Sequence, residues 1–113
     1  MKLPNLKSAI IPPEKITAYL LSETHPEGHD KAVFFSRFGF RLSTWEVLAQ
    51  ALLDHAGRHD VVKAVQSRFG TRYVIEGELQ TPDGRTPQIR AIWFITMDSD
   101  APRLVTAYPA VGS

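Results

Sequence analysis

Along the first half of the chain apolar residues recur at three- and four-residue spacing, and in the second half they gather in short runs rich in β-branched and aromatic types. Helices first and strands afterwards are the expected order. Ile16, Tyr19 and Leu20 form the buried stripe of a short first helix, and Pro13 suits its opening because proline has no amide hydrogen to leave unpaired. The stretch Ser22-Glu23-Thr24-His25-Pro26-Glu27-Gly28-His29 is rich in breakers and reads as a polar loop. A second helix is expected over residues 31–38, with Asp30 as N-cap, Gly39 as stop, and Phe34, Phe35 and Phe38 as its core face. The third carries the clearest start signal, the capping box Ser43-Thr44-Trp45-Glu46, in which the serine oxygen and the glutamate each satisfy amides of the first turn. It is predicted to run to about His55 with Trp45, Leu48, Ala49, Leu52 and Leu53 inward, and Gly57 as end signal. On that reading Ser43→Ala costs about 1 kcal/mol.

Beyond residue 60 the pattern changes. Residues 61–65, 73–79, 89–95 and 103–108 read as strands; Pro82-Asp83-Gly84-Arg85 and Asp98-Ser99-Asp100-Ala101-Pro102 turn the chain between them. Connections this short leave no room for the crossovers that parallel strands need. The fold class predicted is therefore α+β, with N-terminal helices packed on a four-stranded antiparallel meander sheet. Phe34, Phe35, Leu48, Leu52, Trp93 and Ile95 are expected in one helix-on-sheet core.

Length fits a single α+β domain over residues 1–113, and such a chain can bury a core of its own. There is no cysteine, which excludes disulfides and thiolate metal sites and suits a reducing, cytoplasmic setting. The N-terminus lacks a signal peptide's apolar core, and no apolar run reaches the roughly 20 residues that span a bilayer, so no membrane partner is expected. Net charge is only +1, so any anion site must be local.

The candidate chemistry is narrow. No Walker loop, dinucleotide fingerprint or nucleophile elbow is present, and the His25/His29 and His55/His59 pairs stand in no recognised metal pattern, so neither metal nor cofactor is expected. What remains is His25 in the first loop, Lys31 opening the second helix, Arg90 on the central strand, and Thr106 and Tyr108 on the last strand. These types fit phosphodiester cleavage, which needs a base for the ribose 2′-hydroxyl, cations for the developing phosphorane charge and an acid for the leaving oxygen. Thr106 and Tyr108 lie two apart and so share a face, and Lys31 lies at a helix N-terminus, where an anion is favoured. Each residue also has a plain structural reading. His25 can be a loop histidine bonded to backbone and Lys31 a solvated first-turn lysine; Arg90, on the face opposite Trp93, can be the partner of Glu76 or Glu78 across the strands. Thr106 and Tyr108 are good strand formers in any case.

Two long strings are familiar as a pair. Lys15-x3-Tyr19-Leu20-Leu21-x3-His25-Pro26-x-Gly28-x2-Lys31-Ala32-x2-Phe35-x3-Gly39-Phe40 covers the first half. Gly70-Thr71-x-Tyr73-x3-Gly77-x3-Thr81-Pro82-Asp83-Gly84-Arg85, Arg90-x2-Trp93 and Pro102-Arg103-Leu104-Val105-Thr106-Ala107-Tyr108-Pro109 cover the second. Together they resemble a bacterial domain-of-unknown-function family found as stand-alone proteins and at the C-terminus of polymorphic toxins and phage-head-associated proteins. That resemblance implies a fold like barnase, colicin D and RelE, and a metal-independent ribonuclease-like toxin acting on RNA, tRNA included. It implies an antitoxin or immunity protein as partner, and catalytic roles for His25, Lys31, Arg90, Thr106 and Tyr108. The alternative is a non-catalytic module that binds a partner protein through a sheet face or edge strand.

Overall fold

Two consecutive prolines, Pro12 and Pro13, set the first helical segment, and Pro13 occupies its first turn as expected. The computed structural model describes residues 1–22, 24–26 and 29–110. Helix α1 (Pro13–Lys15) passes directly into a π-helical turn, Ile16–Leu20, closed by the Leu21 amide donating to the Ile16 carbonyl at 2.8 Å. Ile16 and Leu20 are fully buried, while Tyr19 stays half-buried on the flank. Such wide turns are rare and recur at functional sites.

Helix α2 spans His29–Ser36. It starts before Asp30, which sits inside the first turn and is not the N-cap expected from sequence. Gly39, at φ 98°, ends the segment in a backbone conformation that favours glycine. The turn at residues 81–85 then docks on this end: the Asp83 amide donates to the Phe38 carbonyl (3.2 Å), and the Arg85 guanidinium reaches the Arg37 carbonyl (2.6 Å) over the Phe38 ring. Arg85 also holds the Asp83 carboxyl down at about 2.

Helix α3 runs Trp45–Arg58, past Gly57, which takes no positive φ here and stops nothing. A 3-10 turn at Leu42–Thr44 precedes it, so Ser43 lies within that turn; the N-cap is Thr44, without a side-chain cap bond. The capping box does not form. Ser43 is exposed, and Ser43→Ala should shift a urea melt by less than about 0.5 kcal/mol, the usual range for a surface change.

Strands β1 (Val61–Ser67), β2 (Gly70–Glu78), β3 (Gln88–Thr96) and β4 (Arg103–Pro109) form one antiparallel sheet in sequential order. The helices cover one face. Trp93, Phe35, Phe40, Leu48, Leu52, Ile75, Leu79 and Ile89 are buried there, with Phe34 packed at the margin. Ile95 is not part of this core. It pairs with Thr71 near the β1–β2 turn, at the end of the sheet where inward burial gives out, and is half-exposed.

The N-terminal segment bonds to both edges at one end, at β1 through the Val61 amide donating to the Met1 carbonyl (2.7 Å). At β4 the Ile10 amide donates to the Pro102 carbonyl (2.8 Å) and the Leu104 amide to the Ile10 carbonyl (3.1 Å), a short parallel bridge that covers the edge's start. All of β1 after Val61 is exposed. Val105 is the extra residue of a bulge in β4, since Ile92 and Trp93 are opposed by Thr106 and Leu104. Bulges re-aim side chains, and this one lies at the site described next.

Candidate functional site

Tyr19 is the centre of the site. Its position follows from the π turn, which leaves the ring on the flank facing β4, where the hydroxyl meets Thr106 Oγ1 at 3.3 Å. A partly buried tyrosine normally finds a partner for its hydroxyl. The chain leaves the turn through Ser22, whose hydroxyl accepts the amides of Thr24 (3.3 Å) and His25 (3.2 Å). That tight bend returns the His25 ring edge-on to Tyr19, centroids 4.9 Å apart and planes at 83°. The His25 carbonyl accepts the His29 amide (3.0 Å), joining the bend to the first turn of α2. Gly28 of the same loop lies outside the described residues.

Two ammonium groups stand over the Tyr19 ring, Lys15 at 5.1 Å and Lys31 at 5.3 Å from its centroid. One comes from α1 and the other from α2, so the ring is where both helical segments meet β4. An open cleft of about 660 Å³ lies alongside, with Lys15, Tyr19, His25, Arg103 and Thr106 among its walls. A cavity of about 800 Å³ between the π turn and α2 shares His25 and Ala18 with it and is lined by apolar and polar side chains alike.

The five residues expected from sequence fall into two neighbouring groups. His25, Lys31 and Thr106 converge on Tyr19. Arg90 and Tyr108 stand together on the uncovered sheet face, beside a shallow hollow of about 370 Å³. There Glu76, Arg90 and Tyr108 lie directly opposite one another on β2, β3 and β4, with Arg90 Nη2 3.0 and 3.3 Å from the Glu76 carboxylate and its guanidinium 5.9 Å from the Tyr108 ring centre. Tyr108 and Glu76 together hold Arg90 more firmly protonated than a free arginine. The cross-strand pair with Glu76 is thus the arrangement that forms. Thr106, two residues before Tyr108 on β4, links the groups along the strand.

Tyr19, Lys15 and Arg103 were not expected at the site. Sequence spacing assigns Tyr19 to the buried stripe of its helix, and only its hydroxyl, which a core position would strand, signals another role. Among the described residues no three of His, Asp and Glu gather in a way that could hold a metal ion. The second histidine pair is structural in its contacts: His55 is fully buried, with Nε2 3.2 Å from the Gly77 carbonyl and its ring 4.8 Å from that of His59. Burial, then the nearby His59, push His55 down to about 4.

Among solved structures the chain is similar to one described as a contact-dependent growth inhibition toxin and immunity protein complex from Klebsiella pneumoniae 342. The TM-score is 0.70 at 17% identity, over 90% of this chain and 100% of that one, which shows a shared fold. No curated protein matches. No helix is long and apolar enough to cross a membrane among the described residues. Residues 2–111 match the profile of one family over almost the whole chain, and the protein belongs to that family, the domain of unknown function DUF6883.

Proposed function

We propose that this domain is a metal-independent ribonuclease-like toxin that cleaves RNA at the Tyr19 cleft and is restrained by a dedicated immunity protein. One observation carries the reading: the Tyr19 phenol contacts His25 on one side and the Thr106 hydroxyl on the other, with two lysines over its ring. In the proposed step His25 takes the proton of a ribose 2′-hydroxyl. The 2′-oxygen attacks phosphorus, the bond from phosphorus to the 5′-oxygen breaks, and the Tyr19 hydroxyl gives its proton to that leaving oxygen. The products are a 2′,3′-cyclic phosphate and a 5′-hydroxyl. Lys15, Lys31 and Arg103 offset the charge on the phosphorane, and Thr106 orients the phenol. Arg90 and Tyr108, held by Glu76, stay outside the bond-breaking set.

The fold shared with a chain of a toxin and immunity protein complex supports this setting, as does the order of helices before a four-stranded sheet, which we read as that of barnase, colicin D and RelE. Purified protein incubated with total RNA in EDTA should yield fragments with 2′,3′-cyclic phosphate ends. Expression without an immunity protein should be toxic. Intact tRNA and mRNA together with harmless expression would sink the proposal; cleavage that EDTA stops would overturn the mechanism and bring the histidines back as ligands.

A second reading, a module that binds protein without catalysis, draws on β1. Its exposed run carries Val62 and Val65, 57% and 40% accessible, on an edge open to a partner strand.

A further inference from the structure

The proposed cleavage uses only Arg103 of one row on the uncovered sheet face. Register sets Val65, Arg72, Phe94 and Arg103 directly opposite one another across all four strands, so the Phe94 ring is flanked by an arginine on each neighbouring strand. Both arginines are exposed. Unlike Arg90, neither places its side chain in a hydrogen bond or ion pair among the described residues. Phe94 lies against Gly70, where a Cβ would come within 2.8 Å of the ring. Glycine there lets the ring lie low on the sheet. The adjoining row, Lys63, Val74, Ile92 and Thr106, adds a cation, and neither row contains an acid. Arg103 also lines both the candidate cleft and a groove past Lys15 and Phe94, so the row and the cleft are continuous.

We infer that this row is a subsite for single-stranded RNA, with one base stacked on Phe94 and the flanking phosphates held by Arg72 and Arg103, leading the strand past Arg103 into the cleft. The choice of RNA rests on the ribonuclease reading; the binding itself is measured without cleavage. A flat aromatic ring accepts any base, and unengaged guanidinium groups take phosphate oxygens in pairs. An acidic protein segment would satisfy the arginines and leave the ring uncovered.

The test uses the His25→Ala chain, so the probe survives, and the fluorescence anisotropy of a labelled ten-nucleotide oligouridylate. Adding Phe94→Ala should weaken binding roughly 5- to 150-fold, and Phe94→Tyr should keep it within about twofold, since stacking is retained. Arg72→Gln and Arg103→Gln should each lower the slope of log affinity against log salt by about 0.7. Binding that is absent, or indifferent to Phe94→Ala and to both arginine substitutions in folded protein, overturns the inference. So does a polyglutamate peptide that competes as well as unlabelled RNA. RNA bound through this row by a chain that, with His25 intact, cleaves nothing would leave the subsite standing and remove the nuclease reading. Cleavage with binding blind to the row would do the reverse.

Discussion

His25→Ala is expected to lower RNA cleavage about 10²- to 10⁴-fold, the usual contribution of a general acid-base group. The substitution removes the imidazole that stands edge-on to Tyr19 and leaves Lys15, Lys31 and the bond from Tyr19 to Thr106 in place. Charge stabilisation therefore survives while proton transfer is lost, so the defect should fall on the turnover rate more than on RNA binding. Tyr19→Phe is the companion variant. It keeps the ring under both ammonium groups and beside His25, and deletes only the hydroxyl. Rates are compared at matched folded fraction on one RNA substrate; a His25→Ala chain that cleaves like the parent would remove the base from the mechanism.

The second large effect is on stability against pH. The folded pKa of His55 is about 4 against 6.5 for a free histidine, because burial disfavours the imidazolium. The unfolded chain therefore takes up a proton as pH falls through 6.5, and the folded one does so only near 4. Between those values unfolding binds protons, so stability falls as pH falls, by about 1.4 kcal/mol per unit and on the order of 3 kcal/mol in all. Asp83, held at about 2, contributes in a separate window: its stabilisation is present above 3.8 and is lost as pH falls toward 2. Urea melts from pH 7 to 4 should show the loss, and His55→Gln, which can still donate to the Gly77 carbonyl without titrating, should flatten it. Equal unfolding midpoints at pH 7 and 4.5 would show that His55 does not carry this dependence.

Much of the fold was legible because the chain changes its hydrophobic period once. Three helical stripes and four strand runs each found their element, and the turn residues at Pro82 to Arg85 found their turn. Errors arose where local signals compete with packing. Ser43-Thr44-Trp45-Glu46 has the chemistry of a capping box, but a 3-10 turn takes up Ser43 and moves the helix start to Trp45. Gly57 looks like a stop, yet buried His55 and Ala56 hold the helix in its conformation past it. Ile95 matches Trp93 in parity but lies where the inward face is no longer buried.

The grouping of the candidate residues was legible in part. His25, Lys31 and Thr106, chosen by residue type, are gathered around Tyr19, and of the two acids that strand parity allowed as the partner of Arg90, Glu76 and Glu78, the contact falls on Glu76. Tyr19 was not legible as the hub, since a π turn leaves no mark in residue spacing and rotates the ring away from the stripe it fits. Arg103 escaped because its importance comes from register: it borders the cleft and also stands opposite Phe94.

The contact between Tyr19 and Thr106 joins residues 87 apart in the chain. During synthesis from the N-terminus, the lysines, the histidine and the phenol emerge long before the strand that completes their surroundings. A nascent chain lacks the Arg103 wall of the cleft and has no hydroxyl opposite Tyr19, so the candidate site is complete only when β4 docks. If the domain is the toxin proposed above, this order of assembly withholds its activity until β4 has been made and docked, which leaves an immunity protein time to meet a finished fold.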